Sequence, residues 1–161
     1  MLERCYSEEY HNKQPTYKGV KVCEEWLFFQ IFAEWAENNY NPETMKGWQL
    51  DKDSICPDCK EYSPEICSFI PREINNAIID MSNLKGNLPT GVIKVDDKYI
   101  VKIGKNKDKI GSYSTSLEAG EAYKKERGLR FKNLLLKYKE QLNPEVYSCL
   151  FNRELKTKEI I

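Results

Sequence analysis

Apolar positions in the first third of the chain recur at helical spacing. Across residues 22–38 (VCEEWLFFQIFAEWAEN), Trp26, Phe29, Ile31, Phe32, Trp35 and Ala36 return every three or four residues. That spacing predicts an amphipathic helix whose aromatic stripe faces the core. The preceding stretch, residues 5–23, contains Pro15 and Gly19 and reads as a loop. Residues 71–81 (PREINNAIIDM) fit a second helix with proline in its first turn. Beyond residue 89 the period changes. Residues 90–95, 98–103 and 109–114 are short and rich in β-branched side chains, parted by Asp96-Asp97 and by Gly104-Lys105-Asn106. They predict three antiparallel strands. In the middle strand Tyr99, Val101 and Ile103 share one face, and Ile100 and Lys102 the other. Ser116 then serves as N-cap for a long helix over residues 117–142 that ends near Asn143-Pro144, and residues 144–156 form a last helix. The order predicts an α+β protein.

Charge divides the chain in two. Its 161 residues are neutral as a whole. Residues 1–82, however, carry 8 basic and 15 acidic side chains, and residues 83–161 carry 17 and 10. The sign changes from −7 to +7 across residues 83–91, a Gly/Pro/Asn-rich stretch (NLKGNLPTG) that reads as a linker. An acidic domain over residues 1–82, a linker over 83–90 and a basic domain over 91–161 follow. The basic one is the candidate for a polyanionic partner; solvated charge on both faces is the plainer alternative. With 40% apolar residues the chain has enough for a core, so wholesale disorder is excluded. The chain shows no run of membrane-span length, and residues 1–5 lack a signal-peptide pattern. The expected compartment is a cytoplasm, where six cysteines are thiols or metal ligands rather than disulfides.

Two stretches resemble known families. Residues 1–82 resemble the HNH-like (His-Me finger) endonuclease proteins of bacteriophages. The resemblance rests on Arg4-Cys5-Tyr6, Tyr17-Lys18-Gly19, Val22-Cys23-Glu24-Glu25-Trp26, Phe29 and Phe32. It continues through Leu50-Asp51-Lys52-Asp53, the run from Tyr62-Ser63-Pro64-Glu65 to Pro71, and Ile74-Asn75. Residues 89–127 resemble the AP2 DNA-binding domain through Gly91-Val92, Tyr99-Ile100-Val101, Ile110-Gly111-Ser112-Tyr113, Thr115, Glu118-Ala119 and Ala122-Tyr123. The first likeness implies a ββα finger packed on the aromatic helix, and the second a three-stranded antiparallel sheet packed on a long helix.

In a His-Me finger a histidine at the end of the first strand deprotonates water, while acid or amide side chains hold a divalent ion. The matching positions here are Asp51, Lys52 and Asp53 after the first strand, residues 62–69 as the second strand, and Asn75 on the helix. Oxygen ligands of this kind suit Mg²⁺. Lys52 stands where the general base belongs, and the only histidine, His11, lies upstream. With an ordinary pKa of about 10.4, lysine stays protonated, so the resemblance implies a catalytically degenerate site. A second reading of the same region is a structural zinc held by Cys56 and Cys59 of a CxxC knuckle, with Cys67 and Cys23 completing four ligands; ordinary buried thiols are its alternative.

The AP2 likeness implies a sheet lying in the DNA major groove. Lys102 faces outward, and Lys107 and Lys109 fall at contact positions on the third strand, whereas Ile93, Val95 and Gly104 stand where arginines are expected. Lys124 and Arg127 begin a second basic surface along the helix. The reading is a phage-type protein that binds double-stranded DNA in the cytoplasm of a bacterial host. Its alternatives are a phage inhibitor of a host nuclease or CRISPR effector, and an active Mg²⁺-dependent endonuclease.

Overall fold

A computed structural model describes residues 1–79, 88–104 and 106–156, so residues 83–87 of the expected linker lie outside the described residues. The protein is mixed α+β, with six α-helices and three small sheets among the described residues. None of those helices is long and apolar enough to cross a membrane. The chain divides into two compact units. One comprises Met1–Asn75 with Leu142–Leu150, and the other Asn76–Gln141 with the C-terminal residues from Phe151.

The first unit opens on two short helices, α1 (Leu2–Tyr6) and α2 (Glu8–Lys13), where a loop was expected. Ser7 explains the break between them. Its hydroxyl accepts from the Tyr10 amide at 3.2 Å, capping α2 before proline and glycine end the helical run. The aromatic segment is also shorter than its periodicity suggests. A 3-10 turn (Glu25–Leu27) precedes helix α3 (Phe29–Asn39), because the chain between them is extended at Phe28. Trp26 is buried, with its ring 5.1 Å from Phe32 and 4.6 Å from Trp35. Phe29 and Ile31, expected in the core, are instead 72% and 45% exposed.

Four strands are distributed over two pairs. β1 (Lys21–Val22) runs parallel to β3 (Glu61–Tyr62), and β2 (Gln49–Asp51) runs antiparallel to β4 (Ser68–Ile70). The expected second strand over residues 62–69 is thus split by a turn, with Tyr62 paired to Val22 and Ser68 to Asp51. Helix α4 (Arg72–Ile79) follows β4 directly, starting at the Pro71 carbonyl, which accepts from the Asn75 amide at 3.0 Å. Trp35 stacks on Phe69 of β4 at 5.6 Å, so the aromatic helix covers the β2–β4 pair. Cys5, Val22, Cys23, Trp26, Tyr62 and Cys67 make one buried cluster beside it.

In the second unit the strand pattern is β5 (Val92–Val95), β6 (Lys98–Ile103) and β7 (Asp108–Tyr113), joined as a three-stranded antiparallel sheet. Helix α5 (Ser116–Lys137) packs on all three strands. Val92, Val101, Ile103, Ala119 and Tyr123 form the core between sheet and helix. The N-cap of α5 is Thr115, not Ser116. Thr115 accepts from the Glu118 amide at 3.2 Å while Glu118 accepts from the Thr115 amide at 3.3 Å, and this reciprocal box fixes the helix start one residue earlier. The helix also ends earlier, at Lys137; α6 (Pro144–Lys156) follows, and its buried Val146 and Leu150 belong to the first unit.

Candidate functional site

The order β2, β4, α4 brings together an acidic loop. Asp51 closes β2 opposite Ser68 and is only 7% exposed. The chain turns immediately after it, and the turn is held by the Ser54 amide donating to Asp51 Oδ2 at 2.7 Å. This is the local backbone bond that aspartate favours in turns. Lys52 is equally buried and donates from Nζ to Asp53 Oδ1 at 2.6 Å, with Asp53 half-exposed. Asn75, one turn into α4, donates from its amide to Gln49 Oε1 at 2.8 Å. Ser54 and Gln49 were not among the residues singled out by sequence, although an Asp followed three residues later by a serine is a recognisable turn signal. His11 lies on α2, its Nε2 3.0 Å from the Arg4 carbonyl oxygen.

Burial pushes the Asp51 carboxyl above its ordinary range, against the lowering effect of the Ser54 bonds. A carboxyl raised in the folded state favours folding while protonated, and it costs stability as pH climbs through its folded pKa. Asp51→Asn should therefore raise the melting temperature at pH 7, since asparagine still accepts from the Ser54 amide. The gain should vanish at pH values where Asp51 is protonated. A variant less stable than wild type at pH 7 would contradict this account.

The donor set does not fit Mg²⁺. Lys52 already places a positive charge on Asp53, the Ser54 amide occupies Asp51 Oδ2, and the Asn75 amide is spent on Gln49. Among the described residues no three His, Cys, Asp or Glu side chains converge as metal ligands. The zinc reading loses two of its four ligands. Cys56 and Cys59 are joined as a disulfide across their turn, which removes both thiolates, and so the expectation that all six cysteines stay reduced also fails. Cys23 and Cys67 remain buried thiols, together with Cys5. Burial pushes Cys67 up to about 12. A thiol so placed reacts slowly. Iodoacetamide at pH 8 should therefore modify Cys149, the half-buried free cysteine, well before Cys5, Cys23 or Cys67, and mass spectrometry of tryptic peptides would show the order.

The basic candidates separate by position. Val92, Val101 and Ile103 point to α5, so alternation sends Ile93, Ile100 and Lys102 to the opposite face. Register then builds that outward face in rows: Val95 beside Lys98, Ile93 beside Ile100 and Ser112, and Lys102 beside Lys109. An irregularity after Val101 lets the strand skip Ile110 and bring Lys109 directly across from Lys102. Lys107 is exposed in the turn before β7, with φ 55°. Asp96 and Asp97 sit in the opposite turn, and Asp108 is neutralised by Arg130 at 3.2 Å. Lys124 is exposed on α5, whereas Arg127 is half-buried and donates from Nη2 to the Ala77 carbonyl at 2.9 Å. Arg127 thus supports the fold, while Lys102, Lys107 and Lys109 share one end of the sheet.

Comparison with protein-family models, curated proteins and solved structures finds no match to this chain.

Proposed function

We propose that the protein binds double-stranded DNA through the outward face of the β5–β6–β7 sheet. The pairing of Lys102 with Lys109 carries this reading. Like charges directly opposite on neighbouring strands destabilise a sheet, so a polyanion that neutralises both supplies a reason for their placement. The strand–strand–strand–helix order supports an AP2-like module. The β2–β4–α4 order supports a His-Me-like finger, with Lys52 acting as internal counter-ion in place of a metal and a base. In this reading the finger is catalytically silent and the protein works in the cytoplasm of a phage-infected bacterium.

Fluorescence anisotropy of the full chain on a duplex oligonucleotide tests the proposal. About four phosphate contacts give a log–log salt slope of about −3.6, hence about a hundredfold loss of affinity between 50 and 200 mM salt. Supercoiled plasmid incubated with Mg²⁺ should stay intact. No binding at 50 mM salt would remove the DNA reading, and metal-dependent nicking abolished by Asp51→Ala would remove the silent-finger reading.

A protein partner is the second reading. Leu27, Phe28 and Phe29 are consecutive and 52–72% exposed in a region rich in glutamates, the kind of apolar surface that marks a protein contact. Capture of a nuclease by the immobilised full chain, lost in Phe28→Ser, would favour it.

A further inference from the structure

We infer that the outward face of the sheet selects thymine-bearing duplex DNA by contacting the C5 methyl groups in the major groove. This inference rests on the DNA-binding reading above. Its observation is different: the lysines of that face flank an apolar patch. Ile93 and Val95 are 40% and 44% exposed, and Ile100 lies beside Ile93 on the next strand, so the three are contiguous by register rather than scattered. Lys98 bounds the patch at one end and the Lys102–Lys109 pair at the other. Neighbouring strands lie about 4.8 Å apart, so the row spans adjacent base pairs while the lysines reach the flanking phosphates.

A face that bound phosphate alone would gain nothing from exposed branched hydrocarbon. Ile93, Val95 and Ile100 carry no donor or acceptor, so they cannot read the polar edge of any base. The one apolar group that a base pair presents in the major groove is the thymine methyl, and a β-ribbon fits that groove but not the narrow minor one. Ser112, at the end of the central row, bonds either donor or acceptor and leaves the choice to the methyl contacts. The ligand class is therefore A·T-rich duplex, read for thymine rather than for guanine.

The test compares full-chain binding to one A·T-rich duplex with binding to the same duplex carrying deoxyuridine for every thymidine. This exchange removes only the methyl groups and leaves base pairing unchanged. Each methyl buried against an isoleucine or valine should change affinity about fourfold, so two contacts give a uracil duplex about fifteenfold weaker at an unchanged salt slope. In a G·C-rich duplex, 5-methylcytosine should restore part of the affinity. Ile93→Ala should weaken binding to the thymine duplex more than to the uracil duplex, so the thymine–uracil ratio falls, whereas a loss of folding would lower both alike and keep the ratio. Equal, salt-dependent affinity for the two duplexes overturns the inference and leaves DNA binding standing. Absence of binding to either at 50 mM salt overturns both.

Discussion

Gly91→Ala should destabilise the second unit by about 3 kcal/mol and lower its melting temperature by roughly 10–20 °C. Gly91 leads into β5 with φ +75°, the left-handed region, and its carbonyl accepts from the Lys102 amide at 2.8 Å. A Cβ there would lie 2.1 Å from Cε2 of Tyr123 and 2.8 Å from the Lys102 carbonyl oxygen. Tyr123 is a core residue of α5, so the ring cannot swing away without opening the contact between helix and sheet. The backbone at Lys102 cannot yield without moving a lysine of the proposed interface. Gly104→Ala provides the comparison. Its φ is +78°, but the nearest atom is the Arg130 Nη1 at 3.2 Å, the end of a flexible side chain. Only the left-handed strain remains there, about 1 kcal/mol. Thermal unfolding followed by circular dichroism would separate the two variants. Equal losses would mean that the Tyr123 contact is not the cause.

How much of this was legible in the sequence follows from the range of the interactions involved. The three strands of the second unit were readable because alternation and the intervening turn residues are local, and each observed strand lies within about two residues of its expected bounds. The core face of β6 followed from the same alternation. The Thr115 cap was missed by one residue because Thr115 and Ser116 are both good caps, and only the reach of Glu118 back to the Thr115 amide decides between them.

The first unit was harder to read. Its strands are two or three residues long and pair across distance, Val22 with Tyr62 and Gln49 with Ile70, so no local period marks them. The aromatic stripe overstated the core because Phe28 interrupts the helix and rotates Phe29 and Ile31 outward relative to Trp26. At the acidic loop, the sequence singles out Asp51, Lys52, Asp53 and Asn75, and the structure places the first three in one turn after β2 and Asn75 on α4. The engagement of Asn75 by Gln49, 26 residues away, is a tertiary fact with no sequence signature. The Cys56–Cys59 disulfide likewise depends on a turn that a CxxC spacing permits but does not require.

Lys109→Glu should weaken duplex binding by at least a hundredfold at low salt while leaving the fold slightly more stable than wild type. Both effects come from the same register. Lys102 and Lys109 lie directly across β6 and β7, where two positive charges repel. Exchanging one for a carboxylate turns the repulsion into an attraction across the strands, a gain of about 0.2–1 kcal/mol. The same exchange removes one phosphate contact and places a negative charge against the DNA backbone, so binding loses more than a neutral substitution would take. Lys109→Ala and Lys102→Ala set that scale: each should flatten the salt slope by about one unit. Lys107→Ala should do likewise, because Lys107 is exposed at the same end of the sheet. Arg127→Ala should behave in the opposite sense, losing stability through the Ala77 carbonyl bond while keeping the salt slope of wild type. Anisotropy titrations between 50 and 200 mM salt, paired with melting curves on the same preparations, read both quantities. If Lys109→Glu binds DNA as wild type does, the outward face of the sheet is not the interface, however stable the variant proves.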